Sequence, residues 1–104
     1  TYQMDYRNRL EALKEANLDE EESADILLVK PATLYLDIIR EIKNNTTLPI
    51  AAYHVSGEYS MLKAGEEKNI LNYEQALIET LTSIKRSGAS MILSYGALDA
   101  AQLI

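Results

Sequence analysis

The sequence predicts an α/β fold with a parallel sheet, because short apolar runs alternate with amphipathic segments. The runs are Ala24–Lys30, Leu48–Val55 and Ala89–Tyr95, each 7 or 8 residues long and almost continuously apolar. Such runs are typical of strands that are buried on both faces. Strands that alternate with helices imply right-handed crossovers and parallel pairing.

The segments between the runs carry leucine and isoleucine at helical steps of three and four residues. Helices are predicted over Asn8–Glu22, Thr33–Asn44, Tyr73–Ser87 and Ala97–Ile104. Asn72 is a good N-cap for the third of these helices, and Gly88 is a good stop for it. The segment 57–71 is expected to form a short helix and a loop.

Three strands make a thin sheet, and one face or edge of it would stay poorly covered. The chain also begins at Thr1 without an initiator Met. We therefore expect residues 1–104 to be a single partial domain of a longer α/β protein, with Thr1 either at a cut inside that protein or at a processed end.

Composition excludes several classes of protein. Of the 104 residues, 47% are hydrophobic and 25% charged, which is ordinary for a globular domain. A net charge of −6 argues against a nucleic-acid partner. The absence of Cys excludes disulfides and thiolate zinc sites, and it suits a cytoplasmic location. No apolar run is long enough to span a membrane, and no motif for a nucleotide cofactor is present.

Polar residues follow all three predicted strands. The first strand ends in Lys30, the second is followed by Ser56, and the third ends in Tyr95. Ligands of parallel α/β folds bind beyond the carboxyl ends of the strands. These residue types would supply an amine and two hydroxyl groups to one site.

Lys30 is the sharpest of these signals. Apolar surroundings disfavour the charged form of an amine, and a neutral amine attacks ketones to form a Schiff base. The ordinary alternative is a lysine whose ammonium extends from the strand end into solvent. Taken without its neighbours, this alternative is the more common case.

Ser56 and Tyr95 could each donate a hydrogen bond to a carboxylate. The alternatives are that Ser56 caps the helix that follows, and that Tyr95 is an aromatic residue at the edge of the core. His54 is the only histidine. We expect a structural role for it, since no second His or Cys is available for a metal site.

Together, these strand ends and their flanks resemble the porphobilinogen synthase (delta-aminolevulinic acid dehydratase) family. The resemblance rests on VKPATLYLDIIREI at 29–42, LPIAAYHVSGEYSMLKA at 48–64 and IETLTSIKRSGASMILSYGALDAAQLI at 78–104. The segment 1–25 resembles the approach to the family's lysine strand. The combination of VKPA-x-x-YLDI with YHVSGEY is specific, and the match covers nearly the whole chain.

The resemblance implies the C-terminal portion of a (β/α)8 barrel, namely its last three βα units. It implies a hydro-lyase that condenses two molecules of 5-aminolevulinate to porphobilinogen in tetrapyrrole and heme biosynthesis. Lys30 matches the Schiff-base lysine that holds the first-bound substrate, and Ser56 and Tyr95 match the hydroxyls that bind its carboxylate. Gln3 matches a residue that helps to bind the carboxylate of the second substrate.

Glu15 matches the carboxylate of an allosteric magnesium site found in many bacterial members of the family. Zinc dependence is set by a segment that these 104 residues do not contain. A homo-oligomer, an octamer in the family, is implied for the full-length protein. The second lysine and the lid belong to the earlier half of the family chain, so we expect the 104 residues alone to be inactive.

Two other functions are compatible with the strand-end pattern. One is another Schiff-base barrel lyase, of the class I aldolase kind, although SGEY and SYGA beside Lys30 argue against it. The other is a non-catalytic module that self-associates through apolar surface left open by a partial barrel.

Overall fold

A computed structural model describes residues 25–104 of the chain. The predicted helix Asn8–Glu22, together with Gln3 and Glu15, lies outside these described residues. Three successive βα units follow one another. The strands are β1 (Leu27–Val29), β2 (Ile50–His54) and β3 (Met91–Ser94), and the helices are α1 (Leu36–Asn45), α2 (Ser56–Glu67), α3 (Tyr73–Ser87) and α4 (Ala97–Leu103).

The strands form one parallel sheet in the order β1-β2-β3, as the alternating pattern predicts. Val29 pairs with Ala52, and Ala52 pairs with Ile92 on the other side. At the end of the sheet, His54 pairs with Ser94. Since all three strands are parallel, the residues that follow them meet at a single edge.

One face of the sheet is covered by helices, and we call it the covered face. Leu27, Val29, Ile50 and Ala52 lie on it and are almost completely buried. They pack against the apolar sides of α1 and α3, where Ile39 and Ile84 are inaccessible to solvent. This cluster is the main core of the described residues.

The opposite face is open, and we call it the uncovered face. Its residues alternate with those of the covered face, since successive side chains of a strand point to opposite sides. Met91 is 40% exposed and Leu93 is 50% exposed, although both belong to strand β3. The prediction that three strands would leave one face poorly covered is therefore confirmed.

A second, smaller core joins the last three helices. Tyr73 and Leu77 of α3 are buried against Ala100 of α4, with Tyr59 and Leu62 of α2 packed beside them. Gly96 precedes α4 at a point where a Cβ would lie 2.8 Å from a methyl group of Leu77. The backbone after β3 therefore packs directly against α3.

The limits of α3 agree with the sequence prediction at both ends. The Asn72 side chain accepts a hydrogen bond from the Gln75 N–H at 2.9 Å. Gly88 follows the helix with a φ of 132°, a conformation that favours glycine. The segment 57–71 forms a helix and a loop, as expected: α2 ends at Glu67, and residues 68–71 form the loop that follows it.

The strands are shorter than the apolar runs that predict them. Apolar residues also occupy the turns beside the strands, as at Ala89, which is buried but precedes β3. The helix expected from Thr33 begins as a 3-10 turn over Thr33–Tyr35 and becomes α1 at Leu36. Within residues 25–104, no helix is long and apolar enough to cross a membrane.

Candidate active site at the carboxyl ends of the strands

The three residues predicted to carry the chemistry lie at the same edge of the sheet. Lys30 directly follows β1, Ser56 begins α2 two residues after β2, and Tyr95 directly follows β3. Parallel pairing of all three strands brings about this arrangement. The structure therefore collects an amine, an aliphatic hydroxyl and a phenol at the place where α/β folds bind their ligands.

Lys30 is half-buried and begins the turn that connects β1 with α1. It lies two residues beyond Leu28, the spacing that puts two side chains of an extended strand on the same face. Its peptide bond to Pro31 is cis. The N–H of Ala32 donates to the Tyr53 carbonyl oxygen at 3.0 Å, so the turn is held against the end of β2.

Tyr95 lies on the uncovered face and stacks on Tyr53 of the neighbouring strand. The two ring centroids are 6.3 Å apart, and the Tyr53 hydroxyl donates to the Tyr95 hydroxyl at 3.5 Å, a long hydrogen bond. This hydrogen bond is the main cause that raises the pKa of Tyr53. The Tyr53 phenol thus remains protonated near neutral pH and is able to donate.

These two tyrosines border an open depression in the uncovered face. Its volume is about 300 Å³, and Leu93 and Ser94 complete the lining. Apolar walls with a few convergent hydroxyl groups are typical of sites for small organic ligands. A second, more apolar cavity of about 330 Å³ lies beyond His54 and Glu58 and is not lined by Lys30, Ser56 or Tyr95.

His54 ends β2 on the covered face and is only 1% exposed. Its Nδ1 atom is 2.9 Å from the Ser94 hydroxyl, which in turn accepts a hydrogen bond from the Gly96 N–H at 3.0 Å. Burial lowers the pKa of His54, with the nearby Glu58 carboxylate acting in the opposite direction. The expected structural role agrees with this geometry, since the imidazole holds the turn that carries Tyr95.

Glu58 is the second polar residue buried beneath this edge, with 7% of its surface exposed. Its Oε1 atom accepts from the Val55 N–H at 3.0 Å, and its Oε2 atom accepts from the Thr33 N–H at 2.8 Å. The carboxylate therefore connects the turn after β1 with the start of α2. No property of the sequence alone singled out this residue.

Ser56 is exposed and is the first residue of α2. The residue before the helix is Val55, and the helix N-terminus is bonded by the Glu58 carboxylate. The alternative that Ser56 caps this helix is therefore wrong, and its hydroxyl is available for a ligand. Tyr95 is 58% exposed, and its ring centroid lies 6.2 Å from that of Tyr59, so the alternative of an aromatic residue at the edge of the core stays open.

No cluster of three or more His, Cys, Asp or Glu side chains suitable for a metal ion occurs within residues 25–104. The residue matched to magnesium, Glu15, and the residue matched to the second substrate, Gln3, both lie outside this region. Their predicted roles stay predictions.

Comparison with known protein families shows to which family this chain belongs. The family model for delta-aminolevulinic acid dehydratase matches residues 1–103. The chain belongs to this family. The resemblance drawn from the sequence motifs is thereby confirmed, and so is the lyase class of the family.

Relatives of the dehydratase family align over the whole length of the chain. The Helicobacter pylori enzyme is 56% identical over 104 residues, all of this chain and 32% of the relative. The Bacillus subtilis enzyme is 54% identical over 102 residues, 98% of this chain and 32% of the relative. The chain therefore spans about a third of the length of these curated relatives.

A crystal structure of the Toxoplasma gondii dehydratase, in complex with the reaction product porphobilinogen, superimposes with a TM-score of 0.94. It is 46% identical, and the superposition covers 99% of this chain and 29% of that chain. The predicted fold class is confirmed: the described residues form part of a TIM (β/α)8 barrel.

Barrel geometry explains why one face of this sheet is open. In a closed barrel the strand faces without helices point inward and pack against the other strands. Tyr53, Leu93 and Tyr95 occupy these inward positions. Sequence reasoning found Tyr95 but missed Tyr53 and Glu58; the alternation of β2 was the one available signal for Tyr53.

Proposed function

We propose that this chain supplies part of the active site of a porphobilinogen synthase, with Lys30 as the amine that forms a Schiff base with 5-aminolevulinate. The match to the family over residues 1–103 carries the proposal. Further support comes from the position of Lys30, Ser56 and Tyr95 at one edge of the parallel sheet.

The chemistry begins with the amine of Lys30. Its neutral nitrogen adds to the ketone carbon of 5-aminolevulinate, and the resulting carbinolamine loses water to form an imine. A protonated imine is a stronger electrophile than the ketone, and it keeps the substrate attached while the second molecule reacts. Among residues 25–104, Lys30 makes no ion pair that would have to be broken first.

Ser56 and Tyr95 would bind the other end of the same substrate. Each hydroxyl can donate one hydrogen bond to a carboxylate oxygen, and charge-assisted bonds of this kind are about twice as strong as neutral ones. The Tyr53 phenol supports Tyr95 from the neighbouring strand. Binding at two points would orient the ketone carbon toward Lys30.

A chimeric enzyme tests the proposal. Residues 1–104 would replace the matching third of the Helicobacter pylori relative, with the remaining two thirds unchanged. We expect this chimera to form porphobilinogen and, after addition of borohydride with 5-aminolevulinate, to carry a reduced adduct on Lys30. Peptide mass spectrometry locates the adduct.

The matched control is Lys68→Ala, which removes a lysine from the end of α2. It should leave the adduct in place, whereas Lys30→Ala should remove it and lower turnover by about a thousand-fold or more. An adduct that persists on the same peptide of Lys30→Ala would contradict the role of Lys30. Trapping with dihydroxyacetone phosphate instead of 5-aminolevulinate would favour the aldolase-like alternative.

Other parts of the proposal rest on the family resemblance alone. They are the contact of Gln3 with the second substrate, the allosteric magnesium at Glu15 and a homo-oligomeric assembly. For magnesium, we expect Mg²⁺ to raise the activity of the chimera and Glu15→Gln to abolish that response. An equal response to Mg²⁺ in the chimera and in its Glu15→Gln variant would contradict a role of Glu15 in magnesium binding.

A further inference from the structure

Glu58 is a buried carboxylate whose partners are backbone groups. Its two oxygens accept from the N–H groups of Thr33 and Val55, at 2.8 Å and 3.0 Å. Within residues 25–104 it makes no salt bridge with a Lys or Arg. Burial of a carboxylate costs free energy unless the carboxylate is well hydrogen-bonded. The two N–H groups supply these hydrogen bonds, and Glu58 in turn fixes their positions.

The two N–H groups belong to two different turns. Thr33 lies three residues after Lys30, and Val55 directly precedes Ser56. One carboxylate oxygen binds each turn. Glu58 therefore connects the segment that carries the proposed nucleophile with the segment that carries the proposed carboxylate-binding hydroxyl.

These two segments would bind opposite ends of one substrate molecule. In 5-aminolevulinate a short carbon chain fixes how far the ketone carbon lies from the carboxylate. A shift of about 1 Å between reacting groups can cost a hundred-fold in rate. The relative position of Lys30 and Ser56 therefore matters more for a two-ended substrate than for a ketone bound only at Lys30.

We infer that Glu58 is a positioning residue: by holding the turns of Lys30 and Ser56 together, it makes Schiff-base formation selective for ketones that carry a carboxylate. Glu58 is buried and does not contact the substrate. The inference rests on the proposed function, because it takes Lys30 as the nucleophile and Ser56 as a ligand of the carboxylate.

The test compares two ketones in the full-length chimera. Aminoacetone has the same aminoketone group as 5-aminolevulinate but ends in a methyl group instead of the carboxylate-bearing arm. The rate of borohydride trapping on Lys30 is measured for each ketone at low concentration. The ratio of the two rates is the selectivity for the carboxylate.

Glu58→Leu should lower this ratio by about 10- to 100-fold, through slower trapping of 5-aminolevulinate alone. Trapping of aminoacetone should change less than about two-fold, since it does not depend on the distance to Ser56. Glu58→Gln, which keeps one acceptor oxygen, should give an intermediate ratio and also serves if Glu58→Leu does not fold. Ser56→Ala should lower the ratio, and its combination with Glu58→Leu should lower it little further.

Glu66→Gln is the matched control, because Glu66 lies on the same helix and also accepts a backbone N–H, that of Tyr73. Its ratio should equal that of the unsubstituted chimera. An equal loss for both ketones in the Glu58 variants, or an unchanged ratio, would overturn the inference and leave the proposed function standing. Failure of both ketones to react at Lys30 in the unsubstituted chimera would overturn both.

Discussion

The two faces of the β1-β2-β3 sheet differ in what their residues contribute. On the covered face, Val29 and Ala52 are completely buried against helices. On the uncovered face, Leu93 of β3 and Tyr95, which directly follows β3, are at least half exposed. Residues of the covered face therefore serve in packing, whereas residues of the uncovered face include those proposed to contact a ligand.

This difference separates stability from chemistry within a very small structure. The covered face already packs against α1 and α3 within the described residues. The uncovered face would be completed by other strands of the barrel. Substitutions on the two faces should consequently have different effects.

The largest effect is expected for Ile39→Ala on α1, which packs on the covered face and is inaccessible to solvent. Removing a buried isoleucine side chain costs about 2–5 kcal/mol. Leu93→Ala, on the uncovered face, should cost less than about 1 kcal/mol, because half of its surface is already exposed. Urea denaturation followed by circular dichroism gives both values, and similar losses would erase the distinction between the faces.

A smaller effect is expected on self-association of the 104-residue chain. Exposed apolar surface favours association, and Met91 and Leu93 expose it on the uncovered face. Leu93→Lys should weaken association by about ten-fold, equivalent to roughly 1.4 kcal/mol. Light scattering over a range of concentrations measures the change.

Ile70→Lys is the control for this comparison. Ile70 is 77% exposed in the loop before α3, away from the sheet. It should leave association unchanged. If Ile70→Lys weakened association as much as Leu93→Lys, the uncovered face would not be the surface responsible.

The smallest effect concerns His54, which ends β2 on the covered face. Its pKa in the folded chain is lowered from 6.5, mainly by burial, so the unfolded chain binds the proton more readily. The contribution of His54 to the free energy of unfolding is therefore fully present above about pH 6.5. Below this pH the free energy of unfolding decreases, by at most roughly 1.4 kcal/mol per pH unit. His54→Asn should make the free energy of unfolding less dependent on pH in this range; an unchanged slope would contradict the assignment.

The sequence predicted the helices better than the details of the site. α3 was placed correctly because Asn72 and Gly88 act locally, through a side-chain cap and a backbone conformation that glycine favours. The strands were predicted too long, because apolar residues in the turns pack into the same core. The three strand ends were predicted to meet because parallel pairing requires it.

Two features depend on contacts between distant parts of the chain and could not be predicted. Glu58 binds the N–H of Thr33, 25 residues earlier, and Tyr53 binds Tyr95, 42 residues later. Neither pairing has a local pattern of its own. The strand ends singled out Lys30, Ser56 and Tyr95, and the family resemblance assigned their roles, but neither gave a reason for the positions of these supporting residues.

The neighbouring positions of Ser94 and Tyr95 have a consequence for how this segment can evolve. Ser94 contacts His54 beneath the sheet, while Tyr95 contacts Tyr53 above it. A substitution at either position alters one of these contacts. Deletion of a single residue within β3 would reverse the face to which each of these side chains points. The Tyr95 ring would then point toward the helices of the covered face instead of the uncovered face. The segment should therefore tolerate altered side chains far better than an altered number of residues.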